Sequence, residues 1–202
     1  MGGIYKSAFY NCSVLEDIKI PESVQEIDDY AFYGCTELED VDITSDSALK
    51  GIFDYAFAYS GIKSLSMPDQ LEEIGSYAFI GAKLDEITFN DCIREIGQFA
   101  FADCGLKNMS TVSFPDSLEQ LGKGVIRGNT TVEELIIPFF GEYKGDETGR
   151  VQDLFDISDP SSYSGNYQIL THLKKIKILK GDFVPNSAFR SLLQIRSFFQ
   201  MR

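Results

Sequence analysis

The chain has 202 residues, 44% of them apolar, with 16 Phe, 10 Tyr and no Trp. That is enough apolar chain to bury a core, which excludes a disordered segment. A formal net charge of −13 argues against a general nucleic-acid or anionic-membrane binder, and no apolar run approaches the roughly 18 residues of a membrane span.

A repeat governs the chain from its first residues. Ala8-Phe9 returns as Ala-Phe at 31–32, 56–57, 78–79, 100–101 and 188–189, with Val125-Ile126 in the same phase. The first units are 22 to 25 residues apart, the period of a solenoid repeat. Four residues before each Ala stands Ile4, Ile27, Ile52, Ile74, Ile96 or Leu121. Three residues earlier stands Val24, Leu49, Leu71, Ile93 or Leu118. Spacing of three, then four, then one predicts a short helical turn with one face inward.

Four residues after the Ala come Cys12, Cys35, Ser60, Ala82, Cys104 and Asn129. A disulfide or metal pair between Cys12 and Cys35 is geometrically conceivable, since the two lie in adjacent repeats. Ser60 and Ala82 at the same position favour a ladder of small buried groups, whose S–H meets a turn carbonyl.

Each unit then runs into an L-x-x-L-x-L segment. The copies are Leu15/Ile18/Ile20, Leu38/Val41/Ile43, Ile62/Leu65/Met67, Leu84/Ile87/Phe89, Met109/Val112/Phe114, Val132/Leu135/Ile137 and Leu173/Ile176/Ile178. Ile195/Phe198 is a weaker eighth copy. The last two apolar residues alternate with a polar one, as in a half-buried strand. Pro21, Pro68, Pro115 and Pro138 close four of these strands, because proline has no N–H for a ladder. Such units cannot bury their own apolar faces and must stack. The expected fold is a single right-handed leucine-rich-repeat solenoid of seven or eight parallel strands on the concave face. Its convex segments are expected to be short and helical or irregular.

The pattern I-x-x-x-A-F-x-x-C-x-x-L-x-x-I-x-I-P, carried by Ile27 to Ile43, resembles the BspA-like subclass of leucine-rich repeats. The resemblance covers residues 4–138 closely and 171–202 loosely. It implies a surface or secreted protein of oral and gut bacteria, used in adhesion to host matrix or cell-surface proteins. Residues 139–170, rich in Gly, Ser, Asp and Tyr, replace one ordinary convex segment; a loop of that length is expected to decorate the convex face or to serve a function. Residues 4–9 are the second half of a repeat, and 197–202 stop inside a strand unit. Because solenoids need polar caps, the chain is expected to be a fragment of a longer protein, capable of self-association through uncapped ends.

No motif for a nucleotide, cofactor or metal occurs, and the single His172 has no spaced nucleophile. An enzyme would have to work through Cys92 or His172, and neither has neighbours in sequence that would activate it. What remains is the row of outward strand positions: Asp17/Lys19, Asp40/Asp42, Ser64/Ser66, Glu86/Thr88, Thr111/Ser113, Glu134/Ile136 and Lys175/Lys177. Stacked in a solenoid they form one face suited to an extended protein partner. Residues 1–169 hold 30 acidic and 11 basic groups, whereas 170–202 hold one and seven, so that face is expected to run from acidic to basic. The leading expectation is a non-enzymatic protein-interaction module at the cell surface, with a spacer or stalk as the alternative.

Overall fold

The computed structural model describes residues 2–146, 149, 151–155, 172–179 and 199–201. It is a solenoid of parallel strands in which each coil bonds to the next. One sheet has six strands, in the order Gly2–Ile4, Val24–Ile27, Gly51–Ile52, Glu73–Ile74, Glu95–Ile96 and Gln120–Leu121. The L-x-x-L-x-L segments supply the others, a pair of strands (Asp17–Lys19 and Asp40–Asp42) and a four-stranded sheet. In that sheet Thr111–Ser113, Glu134–Ile137, Lys175–Ile178 and Phe199–Met201 lie side by side.

The six-stranded sheet corrects one expectation. The residues spaced three, four and one do not form a helical turn; Val24–Ile27 and its equivalents are short strands. A helical turn would close its bonds within one coil. Here the donors reach across coils, as in Phe53 N–H to the Ile27 carbonyl (2.8 Å) and Gly75 N–H to Ile52 (2.7 Å). The same apolar spacing suits a two-residue strand followed by a tight turn, so the pattern alone does not separate them.

The Ala-Phe segment builds a third ladder, of turns. Tyr30, Phe32 and Gly34 donate to the carbonyls of Asp54, Ala56 and Ala58 in the next coil (3.0, 2.7 and 2.9 Å). The intervening amides of Ala31, Tyr33 and Cys35 close locally, three residues back. This alternation needs left-handed backbone just before the Ala and three residues after it. Tyr30 (φ 57°) and Gly34 (φ 69°), Tyr77 (59°) and Gly81 (64°), Gly124 (66°) and Gly128 (82°) all adopt it. Glycine does so freely, whereas an aromatic residue is strained there. The strain is offset by stacking along a column: Tyr30–Tyr55 at 4.9 Å, Tyr55–Tyr77 at 4.7 Å and Tyr77–Phe99 at 5.1 Å between ring centroids. Lys6 and Arg127 sit over the Tyr30 and Phe99 rings at the two ends (5.9 and 4.9 Å).

The core lies between these three walls. Phe9, Phe32, Phe57, Phe79 and Phe101 stack through it at 5.0 to 5.4 Å, with rings within 8° of parallel. The strand residues Ile27, Ile52, Leu135 and Ile137 are fully buried beside them. Pro21, Pro68 and Pro115 accept a turn bond from the residue three later. Asn90 stands where those repeats carry proline. Its Oδ1 accepts from Cys92 and Ile93 N–H (2.8 and 3.0 Å), and its Nδ2 donates to the Pro68 and Leu71 carbonyls of the preceding coil.

The first part of the insertion is an ordered substitute for a coil. Tyr143 bridges Gln120 in antiparallel sense, and Leu121 N–H donates to Glu142 (2.9 Å). The 3-10 turn Val151–Phe155 then accepts from Gly124 and Ile126 (2.7 and 3.3 Å), the bonds that a further Ala-Phe turn would take. Residues 156–170 lie outside the described residues. At the far end, parallel pairing sets Phe199, not Phe198, opposite Ile176. Phe199-Gln200-Met201 is the apolar-polar-apolar alternation of a half-buried strand, whereas the register of Phe198 would turn Gln200 inward; Ile195 and Phe198 themselves are outside the described residues.

Candidate protein-interaction face

The outward residues of the L-x-x-L-x-L segments come into strand register at the two ends of the row and not at Ser64, Ser66, Glu86 and Thr88. Asp17 faces Asp40 across one strand gap, and Lys19 faces Asp42 with an ion pair of 3.3 Å. Thr111, Glu134 and Lys175 form one row, and Ser113, Ile136 and Lys177 another. Between these two groups Ser64, Ser66, Glu86 and Thr88 line one open cleft of about 490 Å³. Leu65, Met67, Asp69, Phe89 and Asn90 complete its wall.

Charge along the face is more balanced than the residue counts imply. Lys174 and Lys175 are paired to Glu133 and Glu134 on the preceding coil (2.7 and 2.8 Å). Those bonds pair two of the seven basic groups of residues 170–202, and Glu134 and Lys175 are register partners on adjacent strands. Near the acidic end Lys63 bonds Glu39 at 2.5 Å, and this bond holds the Glu39 carboxyl below its usual range. Pairs this exposed each contribute little to stability and shape the surface potential instead.

Asp69 and Asn90 carry no outward-strand signature and are missed by an L-x-x-L-x-L reading. The clue to Asn90 is the absence of proline after Phe89, where Pro21, Pro68 and Pro115 follow their strands. Cys92 is exposed, with its N–H on the Asn90 side chain, and His172 is exposed just before Leu173. Cys35 and Cys104 are buried, and their thiols donate to main-chain carbonyls. Among the described residues no three His, Cys, Asp or Glu side chains gather as metal ligands, and no helix is long and apolar enough to cross a membrane.

Comparison with known proteins agrees with this geometry. A leucine-rich repeat protein from Bacteroides ovatus superposes with a TM-score of 0.64 at 28% identity, over 90% of this chain and 40% of its own. One from Eubacterium ventriosum gives 0.53 at 22% identity, over 59% of this chain and 31% of its own. A leucine rich cell surface protein from Faecalibacterium prausnitzii aligns at 0.44 and 18%, over 86% of this chain and 56% of its own. The chain thus spans well under half the length of the Bacteroides ovatus protein. Among curated proteins none matches. The family described as BspA type Leucine rich repeat region matches residues 2–133 in six copies. Those copies are the coils of strand, turn ladder and L-x-x-L-x-L segment described above, and the chain belongs to the BspA-type leucine-rich-repeat family.

Proposed function

We propose that this chain is a non-enzymatic protein-interaction module of a bacterial surface or secreted protein, docking an extended protein partner along its L-x-x-L-x-L face. The supporting observation is the register of outward side chains in two stretches of the face, Asp17 and Lys19 with Asp40 and Asp42, and Thr111 and Ser113 with Glu134, Ile136, Lys175 and Lys177. Such rows repeat at the strand spacing of about 4.8 Å and make an extended surface across the coils, the kind on which solenoids seat extended partners. The family supports recognition as its use, and adhesion to host matrix or cell-surface proteins as the specific role.

The test is binding to a panel of purified matrix proteins, comparing the native chain with Asp40→Lys, Asp42→Lys and Lys175→Glu. Loss of at least tenfold in affinity for a bound matrix protein is expected; unchanged affinity in all three rejects this face. A second reading is a spacer that holds another domain away from the cell. It is favoured by the length of the Bacteroides ovatus relative, of which this chain spans 40%. Absence of binding to every matrix protein, with the native fold intact, selects the spacer.

A further inference from the structure

The L-x-x-L-x-L face is interrupted at one place. The pair Asp17–Lys19 and Asp40–Asp42 is separated from the four-stranded sheet by two segments, 64–67 and 86–89, that pair with neither. Just before each segment the coils still bond, Asp85 N–H to the Lys63 carbonyl at 2.9 Å and Asn108 N–H to Asp85 at 3.3 Å. Within them, no main-chain carbonyl of Ser64 to Met67 or of Glu86 to Phe89 accepts a hydrogen bond among the described residues. Ile87 N–H turns to the Met109 sulfur (3.0 Å), a weak acceptor. Leu65 and Ile87 are nonetheless buried, so the inner side is packed and only the polar outer seam is open.

The open seam is the cleft of about 490 Å³. The charged groups of its lining are the carboxylates of Asp69 and Glu86; the hydroxyls of Ser64, Ser66 and Thr88 and the unbonded main-chain N–H and carbonyl groups of both segments offer donors and acceptors beside them. Elsewhere on the face Asp42, Glu39 and Glu134 each hold a lysine. Asp69 and Glu86 hold no cation among the described residues. The lining carries two carboxylates and no basic side chain, and is complemented by a cationic donor. Lys offers three N–H donors and Arg five, and neither accepts. A sugar would instead call for a free aromatic face. The Phe89 ring is already packed against Phe114 and edge-on to Phe101 (5.3 and 5.5 Å), and the chain has no Trp.

We propose that the cleft between residues 64–69 and 86–90 receives a Lys or Arg side chain from an extended partner segment, gripped by Asp69, Glu86 and the main-chain carbonyls that the interrupted sheet leaves unbonded. This rests on the face being an interaction surface, and narrows it to one pocket of one charge preference.

The full chain, labelled with 13C at Ile, Leu and Met methyls, is titrated with the capped pentapeptide acetyl-Thr-Val-Arg-Thr-Val-amide. A second arm replaces Arg by citrulline, its neutral near-isostere, and a third uses chitotriose. The Arg peptide is expected to shift the Met67 and Ile87 methyls. Its affinity should fall at least tenfold with citrulline, and as much in the Asp69→Asn/Glu86→Gln variant, whose spectrum otherwise stays native. Equal binding of the citrulline peptide, unchanged affinity in the variant, or shifts at these methyls from chitotriose alone overturn the proposal. Shifts gathered at Ile18 instead also overturn the pocket while leaving the interaction face standing. The matrix-protein measurements above judge that face separately.

Discussion

The Cys104 thiol donates to the Phe79 carbonyl, one repeat behind it, across 2.9 Å. Cys35 does the same to Phe9 (3.1 Å), and in a third repeat the Asn129 amide donates to Phe101 (2.8 Å). From Cys35 onward the position four residues after the Ala is therefore a buried slot that accommodates a donating thiol or amide, whereas Cys12 at the same position of the first coil is exposed. Burial pushes the Cys35 thiol up to about 11 and Cys104 higher still, away from the reactive thiolate. At about pH 8, close to the ordinary thiol pKa, an aromatic disulfide reagent is expected to modify exposed Cys12 and Cys92 quickly. Cys35 and Cys104 should react only as fast as the chain opens, and all four at once in guanidinium. A burst of four thiols from the native protein would dismiss the slot.

Ser60 occupies the same slot, but its buried hydroxyl finds no hydrogen-bond partner among the described residues. The next coil places Ala82 there without difficulty. Ser60→Ala is expected to stabilise by about 1 kcal/mol, because it removes a desolvated, unpaired polar group. Cys104→Ala, which leaves the Phe79 carbonyl without its thiol and opens a small void, should cost about 2 kcal/mol. Urea midpoints at unchanged slope measure both. A destabilised Ser60→Ala would mean that the hydroxyl is bonded in solution.

These slots explain what the repeat makes legible. The phase of Ala-Phe, the inward residues of each L-x-x-L-x-L segment and the buried reading of Cys35 and Cys104 follow from period alone, since each buried position recurs with the coil. The wall at Val24–Ile27 does not, because an apolar pair three apart reads as one face of a helical turn, whereas a regular strand would put the two on opposite faces. The left-handed positions carried a fainter signal, Gly34, Gly81 and Gly128 three residues after the Ala, which Tyr59 and Asp103 obscure in other repeats. The break in the face was invisible. Ile62/Leu65/Met67 and Leu84/Ile87/Phe89 have the same apolar pattern as the paired strands, and pairing depends on how the outer edges of neighbouring coils meet.

Glu73 and Glu95 are register partners on adjacent strands of the six-stranded sheet. Burial raises the Glu73 carboxyl pKa, helped by the charges of Glu95, Asp54 and Glu26. A carboxyl raised in the folded state binds its proton more tightly there than in the unfolded chain. The site therefore costs nothing below the ordinary carboxylate range and destabilises increasingly as pH climbs through the raised value. Glu73→Gln is expected to stabilise by about 0.5 kcal/mol at neutral pH, the size of a like-charge cross-strand pair. The gain should fade at about pH 4, near the unperturbed Glu value. An equal gain at both pH values would assign it to packing instead of charge.

Gly128 and Asp103 occupy the same left-handed position in successive coils, with φ of 82° and 55°. A Cβ on Gly128 would collide with the Asp103 carboxylate. Gly128→Ala combines that clash with backbone strain and is expected to cost about 2 kcal/mol or more. Asp103→Gly works in the other direction: it relieves the strain and loses an exposed Arg127 pair of 3.2 Å. It should stabilise by up to about 1 kcal/mol. Thermal midpoints of the two variants moving the same way would break the argument from backbone conformation.

Phe155 is fully buried although it belongs to the insertion, and the turn that carries it accepts the amides of Gly124 and Ile126. If Val151–Phe155 takes the place of a coil, its loss strips the neighbouring coil of both apolar cover and bonding partners. Phe155→Ala is expected to cost about 3 to 5 kcal/mol, as for other buried Phe truncations. In a stack where each unit touches only its neighbours, the damage should be local. Hydrogen exchange should therefore speed up at Gly124 and Ile126 while Phe32 and Phe57 keep their protection. Unchanged exchange at Gly124 and Ile126 would mean that the insertion merely rests on the solenoid; uniform acceleration along the chain would mean that it holds the whole stack together.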